Sequence, residues 1–443
     1  MAANPDALPN LFIHLSISGT SLETHLLDTS LEAHLSKATQ TRGNRGSTVK
    51  QSKASSAHTS TATSTSTNPA TSTSNGKART KSAPTRRARE VTFPQVPPRR
   101  KAKLLLDVHT MNPSEARKMQ RLAARGEAVR LAPGVYIPAG QWREFEQDPD
   151  AEAIKARARI AAEYIRSGPA VVAGKSAAFL HGLPLEKFEP PETVELASPK
   201  RSLMGRTGRS ERHLATPGQG QRAVLIPTEF GEIWTSGLLD TCHDLGLRHS
   251  LDDAVIATEA ALHTKKITWN AWRTWRAWQD GMRAPGTTLT ATPETAPIRH
   301  GAQRARTAAR LVTRFSESPR ESQLKIRFWE HGLPAPFQQV NILNEGGLTI
   351  GRVDMFFDVG LAVEYDGREK YGSTTPAIER ALLKERQREN DIQARGITLL
   401  RVTAETYLSG RAVEQVSEHF HILTARPTRP PCTLWSGGAL AWS

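Results

Sequence analysis

Gly351-Arg-Val-Asp-Met-Phe-Phe-Asp-Val-Gly-Leu-Ala-Val-Glu-Tyr-Asp-Gly367 is the stretch that decides how this chain reads. Two runs of β-favouring residues flank Asp358-Val359-Gly360, and a three-residue hairpin loop puts Gly360 where a left-handed backbone is needed. Phe357 then opposes Leu361, and counting outward sets Asp354 opposite Glu364. Directly opposed residues share a sheet face, so two carboxylates there repel unless something positive stands between them. Alternation along the second strand carries Asp366 onto the Glu364 face and turns Leu361, Val363 and Tyr365 toward a core. A divalent cation answers the repulsion, and Mg²⁺ is typically held by one or two carboxylates with waters and substrate phosphate. Such an ion activates water and stabilises charge developing on a phosphate. A solvated polar face is the plainer account of the same residues.

Working outward, Ser318 and Pro319 have the chemistry of a helix cap and first position, opening a helix through Glu321, Leu324, Ile326 and Phe328 to about His331. Strands are expected at about Gln338–Ile342, Thr349–Phe357 and Leu361–Tyr365. A long helix from Pro376, capped by Thr375, runs to Arg395, Gly396 stops it, and Ile397–Val402 returns as a strand. The order α-β-β-β-α-β has a final crossover long enough to lay its strand parallel to the third. On the long helix Lys384, Arg388, Asp391 and Arg395 share one side, so Arg388 could clamp a phosphate; a salt-bridged exposed face explains the four as well.

This series resembles the small Vsr-like endonuclease domains of the PD-(D/E)xK superfamily. The resemblance rests on Glu321, Val353-Asp354, Val363-Glu364-Tyr365-Asp366-Gly367, the run Lys384 to Asp391, and Leu400-Arg401-Val402-Thr403. It implies a Mg²⁺-dependent endonuclease in which Asp354 and Glu364 bind the metal and Glu321 helps hold metal or water. The superfamily lysine would stand where this chain has Asp366, and Lys370, just beyond the strand, is the expected substitute.

Toward the N-terminus, Ser114 is read as the cap of a helix to about Arg125 with Met119, Leu122 and Ala123 on its apolar side. Strands Ala128–Leu131 and Val135–Pro138 follow, joined through Pro133-Gly134. A helix before a tight hairpin points to a winged helix, and Arg117, Lys118, Arg121 and Arg125 give that helix a basic, DNA-facing side. The run Arg121 to Tyr136 resembles the N-terminal winged helix of AbiEi-type antitoxins, the antitoxin half of type IV toxin–antitoxin systems. Val172 to Leu183 and Leu238 to Leu245 resemble the same family's second domain. That resemblance implies DNA binding and transcriptional control, with a cognate toxin as a further partner. His181 reads as a helix-end histidine, and Trp269, Trp272, Trp275 and Trp278 as packing residues, because a three-residue step drifts around a helix and cannot make one stacking platform.

Composition adds a polyanionic partner. Net charge is +15 over 443 residues, and from Lys37 to Arg89 there are eleven Lys or Arg and no Asp or Glu. That segment cannot bury enough apolar surface to order itself; it is either a nucleic-acid arm or an unselected extension. Two distant cysteines, with no CxxC or Cys/His cluster, argue against zinc and a disulfide framework, in keeping with a reducing cytoplasm. Leu11–Ile17 is too short to span a membrane, so no membrane partner is expected. The sequence leaves oligomeric state open. The expected fold is α+β and multidomain. A disordered basic tail occupies 1–100, a winged helix-turn-helix 101–145 and an AbiEi-like middle domain 146–280. A linker at 281–315 leads to a restriction-endonuclease-like α/β domain at 316–426 and a flexible tail at 427–443. A nuclease is one functional reading; a DNA-binding antitoxin or repressor with a non-catalytic nuclease fold is the other.

Overall fold

A computed structural model of the protein describes residues 104–216, 218–279, 300–366 and 376–442. The expected basic tail, most of the expected linker, and Lys370 lie outside the described residues. The described fold mixes helices with three sheets.

Strand β1 (Leu106–Asp107) leads into helix α1 (Pro113–Ala124). The cap of α1 is Asn112, not Ser114: its side chain accepts from the Ser114 and Glu115 N–H groups, and Glu115 returns a bond to the Asn112 N–H. Pro113 is the reason, since a residue with fixed φ and no N–H suits the first helical position and moves the cap one place upstream. Strands β2 (Ala128–Ala132) and β3 (Val135–Pro138) form the expected hairpin, with Gly134 at φ 81°, and β1 adds to the free side of β3.

Helices α2 (Ala139–Glu146) and α3 (Ala151–Arg166) follow, then β4 (Val171–Val172), α4 (Gly174–Leu180) and β5 (Val194–Ser198). β6 (Gly205–Thr207), β7 (Ser210–Leu214), β8 (Val224–Thr228) and β9 (Gly231–Thr235) complete a six-stranded sheet in the order β6-β7-β5-β4-β9-β8. The boundary expected near residue 145 is no break in packing. Ile154, Ala158 and Ala161 of α3 share one cluster with Val135 and Ile137 of the hairpin and with Leu196 and Phe230 of the larger sheet. His181 closes α4 as expected, with Nε2 2.8 Å from the Ser236 carbonyl oxygen.

Helices α5 (Leu238–Arg248), α6 (Leu251–His263) and α7 (Trp269–Gln279) come next. Trp272 is buried and stacks on Trp275 at 5.7 Å between ring centroids, so these two pack as expected; the Trp278 side chain lies outside the described residues. Cys242 is buried, and burial pushes its thiol up to about 11. The expected linker contains a helix, α8 (Ala302–Leu311), which buries Thr307, Ala308 and Leu311 along one side. Averaging composition across the Pro- and Thr-rich stretch before it hid this alanine-rich run.

The last unit follows the expected order: α9 (Pro319–Glu330), β10 (Phe337–Leu343), β11 (Thr349–Phe357), β12 (Leu361–Asp366), α10 (Pro376–Gln393) and β13 (Thr398–Thr403). Ser318 caps α9 by accepting from the Glu321 N–H, and β13 runs parallel to β12. Helices α11 (Ala404–Leu408) and α12 (Arg411–Thr424) then lead to the residues expected as a flexible tail. Instead, Trp435–Leu440 forms β14, antiparallel to β10, giving the order β13-β12-β11-β10-β14. Gly437-Gly438 depress the strand signal in the sequence, yet the sheet requires Gly438: its φ is 76°, and a Cβ there would stand 2.7 Å from the Gln338 carbonyl. Ile326 and Trp442 pack with Leu245, Val255 and Trp272, so this unit and the α5–α7 helices share a core.

Candidate functional site

The β11–β12 hairpin has the expected register. Phe357 pairs with Leu361, Phe356 with Ala362 and Met355 with Val363, and Gly360 adopts φ 87°. The ladder ends there, which corrects the expected pairing of Asp354 with Glu364. Asp354 turns its carboxylate to the sheet and accepts the Tyr365 N–H at 2.9 Å, in place of a backbone carbonyl. Burial raises the Asp354 pKa, and the negative charge of Glu364 adds to the rise. The two acids are therefore brought within electrostatic reach, though not as a ladder pair.

Glu321 joins them from the first turn of α9. The cap at Ser318 fixes the helix start, and the carboxylate accepts from the Glu317 N–H at 3.0 Å and from Gln339 Nε2 at 3.1 Å. Burial, followed by the charge of Asp354, pushes Glu321 up to about 7. Neither Glu321 nor Asp354 has a salt-bridge partner among the described residues.

Glu364 differs. Arg388 reaches it from α10 with two bonds of 2.9 Å each, so the positive group expected beside Glu364 is a guanidinium. Arg388 also pairs with Glu385 at 2.7 Å, and these hydrogen bonds raise its pKa. Arg401 stands beside Glu364 on the neighbouring strand; it bonds Glu385 and lies 3.7 Å from both Asp366 and Glu389. Asp366 thus faces a cation supplied by β13. The side of α10 turned to the sheet carries Glu385, Arg388, Glu389 and Ile392; Lys384 is exposed and Asp391 bonds Gln387, so the four residues expected on one working face do not act together. Alternation along β13 could have placed Arg401 in the site from sequence. Nothing in the sequence marks Gln339.

Among the described residues, no three His, Cys, Asp or Glu side chains are arranged as a metal cluster. A two-carboxylate site is a different matter. Glu321 is buried and Asp354 half-buried, the charge of Asp354 adds to the rise in the Glu321 pKa, and their oxygens suit a hard cation that keeps waters and takes phosphate as further ligands. The donor set fits Mg²⁺.

A second feature lies on α1. Arg117, Lys118, Arg121 and Arg125 are all exposed, and none meets a carboxylate among the described residues. Ser114, Arg117, Gln120, Arg121 and Ala124 line an open groove along this helix. No family model matches the sequence, and no curated protein matches it.

Proposed function

We propose that this protein binds DNA through α1 and its hairpin, acting as a winged helix, and hydrolyses phosphodiester bonds at the acidic site with Mg²⁺. The observation that carries the reading is the pair Glu321–Asp354, the first buried and the second half-buried: two acids with raised pKa values that form no ion pair among the described residues. Burying such a pair is costly, and a site that binds a divalent ion recovers the cost only when the ion arrives. Bound there, Mg²⁺ would supply Lewis-acid stabilisation of the phosphate and a more acidic water.

The chain's own groups do the rest. Asp354 and Glu321 would hold the ion, while Glu364 would join them as Arg388 moves to substrate. Arg388 and Arg401 offer planar donors suited to phosphate oxygens, in place of the absent lysine. The free cations of α1 would grip the duplex backbone without reading sequence.

The test is incubation of supercoiled plasmid with the purified full chain, with Mg²⁺ and with chelator. Wild type is expected to nick or linearise the plasmid only with Mg²⁺, and Asp354→Ala to lower the rate about a thousandfold, the scale of losing one transition-state charge interaction. Equal rates for the two proteins would end the assignment.

One observation favours the second reading, an AbiEi-like antitoxin or repressor that binds DNA and a cognate toxin. Glu364 and Asp366 are already neutralised by Arg388 and Arg401, as in a fold whose site has become structural. Under that reading the protein would retain a DNA fragment in a gel shift without Mg²⁺ and leave it intact with Mg²⁺.

A further inference from the structure

We infer that Gln339 is a positioning residue of the acidic site: its side-chain amide braces the Glu321 carboxylate beside Asp354, held in place by the C-terminal strand β14. The inference rests on the nuclease reading above.

Gln339 has φ 54°, in the left-handed region that a long side chain seldom adopts inside a strand. Its neighbours keep perfect order. Gln338 pairs with Met355 and Val340 with Val353, yet Gln339 and Asp354 between them do not pair. On the other side Gln338 pairs with Ala439 and Val340 with Gly437, and again Gln339 and Gly438 between them do not. Side-chain alternation slips at the same place: Val353 and Phe356 belong to one apolar cluster, Met355 and Phe357 to the other. Three adjacent strands therefore share one interruption, and Asp354, Gln339 and Gly438 are the residues at it.

The interruption delivers an amide to two acids. Gln339 Nε2 donates to Glu321 Oε2 at 3.1 Å, and a hydrogen bond from the same side chain favours the ionised form of Asp354. Gln339 Oε1 is buried and accepts no hydrogen bond from the described residues. A buried carbonyl left without a donor is a cost a purely structural glutamine would avoid. The backbone strain, the broken ladder and the orphaned oxygen all point to a group kept for where it places Glu321. Groups that orient metal-binding carboxylates typically matter ten- to a hundredfold, or roughly that, for metal affinity.

The experiment is calorimetric titration of Mg²⁺ into the full chain without DNA, for wild type, Gln339→Met and Gln339→Gly, alongside thermal melting without metal. Methionine keeps the length and removes the donors; glycine relieves the positive φ and also removes them. Both variants are expected to bind Mg²⁺ about tenfold more weakly or worse, and Gln339→Gly to melt no lower than wild type. In the plasmid assay kcat should fall with KM for DNA unchanged. Wild-type Mg²⁺ affinity in folded Gln339→Met would overturn the inference, and if that variant does not fold, wild-type affinity in Gln339→Gly would do so. A wild-type chain that binds no Mg²⁺ would instead overturn the nuclease reading itself.

Discussion

Helix α9 carries two buried charged sites within one turn of each other, and they are built on opposite terms. Lys325 is fully buried and bonds Glu259 of α6 and the Leu311 carbonyl, while Glu259 also takes the Thr313 N–H at 2.6 Å and the Ser322 hydroxyl at 2.6 Å. Four residues along from it in reverse, Glu321 shares its surroundings with another acid and takes its bonds from Glu317 and Gln339. The first site is closed: every charge has an opposite charge, and it joins α9 to the α5–α7 helices. The second is open: its acids form no ion pair among the described residues, although the charge of Lys325 one turn along reaches Glu321. A satisfied buried charge reads as architecture; an unsatisfied one reads as a binding site.

The contrast breaks first at the closed site, where the largest effect is expected. Glu259→Ala strands a buried ammonium and should destabilise the protein by about 3–5 kcal/mol, read as a shifted urea midpoint. Removing both charges together, as Glu259→Gln with Lys325→Met, should restore most of that loss, because uncharged groups of similar volume replace a buried ion pair at little cost. A double variant no better than Glu259→Ala would show that the network matters for its hydrogen bonds rather than its charge balance.

The open site should respond with the opposite sign. Glu321 has a pKa of about 7 against 4.5 for an ordinary glutamate. Because the folded value is raised, its contribution is fully present below about pH 4.5 and is lost as pH rises through about 7. Glu321→Gln cannot ionise, so at pH 8 without metal it should be more stable than wild type, by about 3 kcal/mol. The two proteins should converge near pH 4.5, and added Mg²⁺ should stabilise wild type alone. Denaturation midpoints that fall in parallel from pH 5 to pH 8 for both proteins, within about 0.5 kcal/mol, would mean that Glu321 is not the strained acid.

How much of this was legible follows from where the signals come from. The hairpin at Gly360, the cap at Ser318 and the parallel return of β13 each rest on local chemistry, and the structure has them where the sequence places them. The acid at 354 and the acid at 364 were legible as residues; their geometry was not, because the ladder stops one pair short and an arginine distant in sequence takes Glu364. The closed site escaped notice for a related reason. Glu259 and Lys325 are sixty-six positions apart, each on an ordinary helix, and only tertiary packing makes them partners. Gln339 and β14 were hidden by each other, since a left-handed glutamine has no sequence mark and the glycine pair that accommodates it looks like a loose tail.

That mutual dependence gives a prediction of middle size. Gly438→Ala puts a methyl 2.7 Å from the Gln338 carbonyl and 2.8 Å from Val340 Cγ2, at φ 76°. The strain should cost about 2 kcal/mol, and the displaced β10 should weaken Mg²⁺ binding although the substituted residue touches no acid. Glycine to alanine at Gly347, where a Cβ meets nothing at a similar φ of 78°, controls for backbone strain alone and should leave Mg²⁺ affinity unchanged. Equal Mg²⁺ affinities for the two variants would separate β14 from the site.

The smallest effect on stability belongs to charges of a third kind, neither closed nor strained. Arg117 and Arg121 stand exposed on α1 without a carboxylate partner among the described residues, so removing them takes no ion pair of the described fold. Alanine at both should change stability by less than about 0.5 kcal/mol. Binding to DNA is another matter, because each phosphate contact releases condensed counterion and steepens the dependence on salt. The slope of log K against log salt should become shallower by about 0.9 for each arginine that contacts phosphate, with the loss equal for unrelated duplex sequences. A slope unchanged by both substitutions would move the DNA contact off this helix, and the basic groove along α1 would then join the ordinary solvated surface.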